Sequence, residues 1–127
     1  MRTRAFGPEK RLVSEVGLGT WQIGGSWAAV EEKTAMEILE TARERGITFF
    51  DTADVYGDGR SEQFIGKFLR SHSDDLFVAT KLGRGSDPGW PRNFTKESMT
   101  LHTENSLSRL GFGAFEPDPA PLHSPLK

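Results

Sequence analysis

Three residues of this chain have the types and spacing of a proton-donating site. Asp51 closes the run Phe49-Phe50-Asp51, Tyr56 follows five positions later as the only tyrosine, and Lys81 ends the next apolar run. A phenol is a reluctant acid at neutral pH, with an unperturbed pKa of about 10, but an ammonium beside it favours the phenolate and eases release of the proton. An aspartate next to that lysine keeps the ammonium charged and fixed where water is excluded. Such a trio suits a reaction in which negative charge develops on a substrate oxygen and is met by a proton. Taken singly, each has a plainer reading: Asp51 as a turn or helix cap, Lys81 as a lysine snorkelling from a strand end, Tyr56 as a half-buried packing residue. Their combination favours chemistry.

The elements that must hold these residues alternate regularly. Residues 16–21 are short, apolar and glycine-punctuated, as expected of a buried strand leading into a loop. A helix is predicted over about 30–45, with Ala35, Ile38, Leu39 and Ala42 at helical spacing, Glu31 and Glu32 at its negative-preferring end, and Gly46 as a left-handed stop. The β-branched and aromatic residues 47–50 predict a second strand buried on both faces, with Asp51 at its C-terminal end. Ser61 is placed to cap a second helix whose apolar face is Phe64, Ile65, Phe68 and Leu69, and Gly66 inside it costs about 1 kcal/mol relative to alanine. Residues 76–80 form a third strand ending at Lys81. A long mobile loop over 83–94 follows, and then a third helix capped by Thr95 with Met99, Thr103, Ser106, Leu107 and Leu110 on one side.

A β-α-β-α-β-α order calls for a parallel sheet with right-handed crossovers. An open dinucleotide-binding sheet needs Gly-x-Gly-x-x-Gly at its first strand–helix turn, whereas Gly17-Leu18-Gly19-Thr20-Trp21-Gln22 ends in glutamine. Candidate chemical groups at the C-terminal ends of neighbouring strands favour a (β/α)8 barrel. The 83–89 stretch lacks the Gly-Lys-Ser/Thr ending of a phosphate-binding P-loop. His72 and His102 have no second ligand at metal-binding spacing and are expected to be solvated, so no metal is predicted.

Composition narrows the classes further. The chain has 127 residues, 35% apolar and 27% charged, which describes one soluble globular domain. A formal charge of −2 with interspersed signs argues against nucleic acid as a partner, and no apolar run reaches membrane-spanning length. Cysteine is absent, which excludes disulfides and thiolate chemistry, and a cytoplasmic location is expected.

Three separated motifs carry a family resemblance: Val16-Gly17-Leu18-Gly19-Thr20-Trp21; Phe50-Asp51-Thr52-Ala53-Asp54-Val55-Tyr56-Gly57 with Ser61-Glu62; and Ala79-Thr80-Lys81. From about Leu12 to Gly111 the chain resembles the aldo-keto reductases. The resemblance implies an α/β (β/α)8 TIM barrel, present here as its N-terminal portion of three to four βα units, with residues 1–14 as a hairpin closing the barrel bottom. It implies an NADPH-dependent oxidoreductase that reduces aldehydes or ketones, small-molecule carbonyl substrates, to alcohols. Tyr56 would be the general acid, Lys81 and Asp51 would stand beside it, and Thr20, Trp21 and Asp51 would meet the cofactor. Trp21, Trp27 and Trp90 are each readable as pocket lining or as rim cover.

After Gly111 the resemblance departs from the family pattern, which continues into a fourth strand ending in Leu-His. Prolines at 117, 119 and 121 remove donors from what should be a central strand, so residues 112–127 read as a divergent, proline-rich, polyproline-like tail. Leu122-His123 resembles the family's Leu-His two positions late, and His123 is carried over as the fourth catalytic residue on that basis. A complete barrel takes roughly 250 residues. The expectation is therefore a truncated N-terminal portion whose residues from about Phe112 onward were altered by a frameshift, a misread gene end or a pseudogene-like lesion. Three functional classes stay open: the reductase, a non-catalytic cofactor-binding or regulatory module of the same fold, and an inactive fragment.

Overall fold

A computed structural model describes residues 1–25, 30–72 and 75–112. The chain opens with a hairpin, β1 (Thr3–Phe6) and β2 (Arg11–Ser14), paired antiparallel with Thr3 opposite Ser14. Three parallel strands follow, β3 (Gly17–Gly19), β4 (Phe49–Asp51) and β5 (Phe77–Ala79), adjacent in sequence order and in register Gly19–Asp51–Ala79. Between and after them run α1 (Glu32–Glu44), α2 (Arg60–Arg70) and α3 (Lys96–Leu110). This is the β-α-β-α-β-α order expected, with each strand shorter than its apolar run.

The boundaries shifted for identifiable reasons. β4 begins at Phe49 rather than Ile47: the Thr48 carbonyl still accepts from Phe77 N, but its N–H donates to Ser14 Oγ of the hairpin at 2.9 Å and its Oγ1 accepts from Ser14 N at 2.9 Å. Asp51 belongs to the strand itself, since its carbonyl accepts from Thr20 N. α1 stops before the left-handed Gly46 (φ +82°), and Thr95 caps α3 by accepting from Ser98 N. Ser61 does not cap α2. The cap position is Gly59, and Ser61 lies inside the helix with its side chain fully buried. Gly66 offsets its propensity cost by close packing, because a Cβ there would stand 2.1 Å from Arg109 O of α3.

The core lies between the helix-facing side of the sheet and the three helices. Leu39 and Ala42 of α1, Phe64, Ile65 and Phe68 of α2, Leu110 of α3, and Phe50 and Val78 of the strands form one buried cluster. On the other side of the sheet, Phe6 of the hairpin packs edge-on against Phe49 and Phe77, at 6.1 and 5.2 Å between centroids. The hairpin thus lies across the N-terminal half of the strands. With Phe49, Asp51 and the strand glycines it lines an open cavity of about 510 Å³.

Two expectations for polar segments need correction. The loop after β5 is pinned from within: buried Asn93 donates to Gly83 O and Gly85 O and accepts from Gly89 N. Neither histidine is simply solvated. His72 stacks on Phe68 at 3.9 Å and donates to Phe68 O, and His102 Nε2 donates to Asp87 O at 3.0 Å. Among the described residues no group of three acidic or histidine side chains is placed to hold a metal ion, and no helix is long and apolar enough to cross a membrane.

Candidate active site

Alternation along β4 and β5 sorts the site from its support. Successive side chains of a strand point to opposite faces, so Asp51 and Lys81 leave the sheet on the side away from the helices, and Thr52 and Thr80 on the helix side. Lys81 Nζ donates to both carboxylate oxygens of Asp51, each at 2.9 Å, and to Thr52 O at 2.6 Å. The same ammonium stands 5.2 Å from the centroid of the Tyr56 ring, within cation–π range. Both charged side chains are nearly half exposed. Exposed ion pairs contribute about 0–1 kcal/mol to stability, so this pair serves mainly to fix where the charge sits.

Tyr56 is presented by the turn between β4 and α2. Its N–H donates to Ala53 O and its carbonyl accepts from Ser61 N. That turn lies against the short 3-10 turn Gln22–Gly24 through two glycines: a Cβ on Gly57 would meet Gly24 O at 1.8 Å, and one on Gly24 would meet Tyr56 C at 2.7 Å. The contact brings the loop after β3 to the loop after β4, with the half-exposed Trp21 ring 6.4 Å from that of Tyr56 and tilted 36° to it. Asp51, Tyr56, Lys81 and Trp21 are therefore assembled at one end of the sheet.

Thr20, expected at the cofactor, is placed behind the site. It is fully buried, and its hydroxyl donates to Asp51 O at 2.9 Å. Trp90 stands out from the loop after β5, 81% exposed, against the edge of Phe94. Trp27 and His123 lie outside the described residues.

Sequence reasoning missed the layer beneath the site. Thr20, Thr52 and Thr80 each follow the last residue of their strand, and because the strands are in register the three threonines form a row on the helix side. The first turn of α2 meets that row with two buried polar residues. Ser61 Oγ lies 2.9 Å from Thr52 Oγ1 and donates to Thr20 Oγ1 at 2.8 Å, and Glu62 Oε1 accepts from Thr80 Oγ1 at 2.6 Å. Glu62 is completely buried and is held from α3 by Arg109 Nε at 2.6 Å. The signal was present: a threonine adjoins each of Trp21, Asp51 and Lys81, and Ser61 and Glu62 fall on the otherwise apolar face of α2.

Asp54 was also overlooked. Its N–H donates to Lys81 O at 3.1 Å, which ties the turn carrying Tyr56 to the end of β5. Burial, and next the neighbouring Glu62 carboxylate, hold the Asp54 carboxyl above its ordinary value, against the opposing pull of the Val55 and Gly83 backbone bonds and of His102. Asp54 Oδ1 and His102 Nδ1 are both buried without a hydrogen-bond partner.

The fold agrees with what similarity to known proteins shows. The Aldo/keto reductase family profile matches residues 15–125, continuing beyond Gly111 into the proline-containing segment. Aldo-keto reductase YhdN of Bacillus subtilis is 38% identical over 105 residues, covering 76% of this chain and 30% of that protein. Among solved structures, the holo form of aldo-keto reductase AKR11C1 from Bacillus halodurans superposes with a TM-score of 0.73 at 33% identity, covering 87% of this chain and 37% of that one. An aldo-keto reductase from Klebsiella pneumoniae in complex with NADPH gives a TM-score of 0.69 at 32% identity, covering 87% and 35%. The chain thus spans about a third of the length of these proteins, and its three βα units correspond to the N-terminal portion of their (β/α)8 barrel. On its matched length and its fold, the chain belongs to the aldo/keto reductase family.

Proposed function

We propose that this chain carries the proton-donating half of an NADPH-dependent carbonyl reductase, acting on aldehydes or ketones, with Tyr56 as the general acid. The observation that carries the reading is the Lys81 ammonium, bonded to both oxygens of Asp51 and standing 5.2 Å from the Tyr56 ring. A proton leaves a phenol more readily when a fixed positive charge stabilises the phenolate that remains. Asp51 holds that charge in place, and Thr52 O accepts a further hydrogen bond from the ammonium. The residues present fit a nicotinamide cofactor: the Trp21 ring offers a half-exposed planar surface beside Tyr56, and Asp51 lies at the adjoining strand end. When bound, NADPH would supply the hydride. Tyr56 then delivers its proton to the substrate oxygen as the carbonyl π bond opens and negative charge collects there, and the product is an alcohol.

The test is NADPH consumption with a panel of small aldehydes and ketones, measured alongside NADPH binding by fluorescence. Tyr56→Phe should lower turnover by about 10²–10⁴-fold, the usual range for a positioned proton donor, while binding stays intact. Unchanged turnover would remove Tyr56 from the mechanism. Stoichiometric binding without reduction of any carbonyl would replace the reductase with a cofactor-binding module.

A further inference from the structure

We propose that Glu62 is a positioning residue for Lys81, acting through the hydroxyl of Thr80, with Arg109 of α3 holding Glu62 in place; the inference rests on Asp51, Tyr56 and Lys81 being the reacting site. Thr80 and Lys81 are consecutive and project to opposite faces, so the direction taken by one side chain constrains the other. β5 ends at Ala79, and what orients the chain just beyond it is a set of specific bonds: Thr80 Oγ1 to Glu62 Oε1 at 2.6 Å on the helix side, and Asp54 N to Lys81 O at 3.1 Å on the backbone.

Glu62 is suited to this task because it is itself immobile. Its side chain is fully buried, one oxygen accepts from Thr80 and the other from Arg109, and Arg109 also donates to Ser106 Oγ at 3.3 Å. The close approach at Gly66 locks the same two helices together. A carboxylate withdrawn from water is costly unless paired, and apolar residues of similar volume often replace such pairs without loss of stability. What an apolar residue cannot supply is a directed bond to Thr80. The neighbouring residue plays the matching part for the other strands, since Ser61 bonds Thr52 and Thr20, whose backbones carry Asp51 and Trp21. The first turn of α2 thereby sets three strand ends at once.

The test compares Thr80→Val, which keeps the β-branched shape and loses the hydroxyl, with Thr80→Ser, which keeps the hydroxyl. In the ¹⁵N-labelled full chain, the ammonium cross-peak of Lys81 reports whether its protons are held by Asp51 and Thr52, and the backbone amide spectrum reports the fold. The cross-peak should be present in the wild type and in Thr80→Ser, and lost in Thr80→Val while the amide spectrum stays dispersed. In a carbonyl-reduction assay the Val variant should lose about tenfold or more in turnover with KM for NADPH unchanged, as small misplacements of a reacting group do. Glu62→Met, which keeps the volume and removes the acceptor for Thr80, should give the same pattern and serves as the second variant. A Lys81 cross-peak that survives Thr80→Val, or that is absent from the wild type, overturns the proposal. The NMR readout needs neither NADPH nor a carbonyl, so a wild type with the peak but no reductase activity would retire the reductase reading and leave the positioning role standing.

Discussion

The two faces of the three-stranded parallel sheet are covered to different degrees. On the helix side, Phe50 and Val78 are buried to within 1% and the threonine row above them is bonded to Ser61 and Glu62. On the opposite side, Phe49 and Phe77 are stacked at 5.2 Å yet only partly covered, and Asp51 and Lys81 remain nearly half exposed. Parallel sheets are normally covered on both faces. The candidate reacting groups Asp51 and Lys81 lie on the incompletely covered side, while the hydrogen bonds of the strand-end threonines lie on the covered one.

The largest test of this contrast is in the aromatic pair. Phe50→Ala should cost about 3–5 kcal/mol, as large-to-small core changes do, and Phe49→Ala less, because its ring is only partly buried. Urea unfolding of both variants measures the difference, and equal losses would erase the distinction between the faces. Next comes Ser61→Ala, which leaves the buried Thr20 and Thr52 hydroxyls short of a partner and should cost about 1–3 kcal/mol. A loss within error would mean that the network is replaceable by water.

The smallest effect, and the one that depends on pH, belongs to Asp54. Its carboxyl is held above the ordinary value of 3.8 in the folded chain. The native state therefore keeps a proton that the unfolded chain has already released, and stability falls as pH rises from about 3.8 through the raised value, then levels. Asp54→Asn carries no such charge. The variant should gain on the wild type as pH rises through that window, with the smallest gap below it. Urea midpoints measured across that interval check the sign, and a gap that narrows with rising pH would contradict it.

Legibility followed the range of the interactions. The helices were readable because amphipathic spacing is local: Leu39 and Ala42, and Phe64, Ile65 and Phe68, bury the faces their periodicity predicts. Strand ends were less so, because Thr48 turns its N–H to the hairpin and Asp51 joins the strand through Thr20, and both partners are distant in sequence. Ser61 shows the limit most directly. A serine near a helix start reads as a cap, and only packing against Thr20 and Thr52 turns its hydroxyl inward.

The sequence by itself determined the alternation of strands and helices, the family, and the identity of Asp51, Tyr56 and Lys81 as the candidate reacting trio, because these rest on residue types, local periodicity and motif spacing. Tertiary structure alone decided that Lys81 would be clamped by Asp51 and Thr52, that Thr20 would stand behind the site, and that Ser61, Glu62 and Arg109 would form the layer beneath it. Those outcomes depend on strand register and on how closely α2 and α3 approach. Register and helix approach are set by contacts between residues tens of positions apart, which no local pattern encodes.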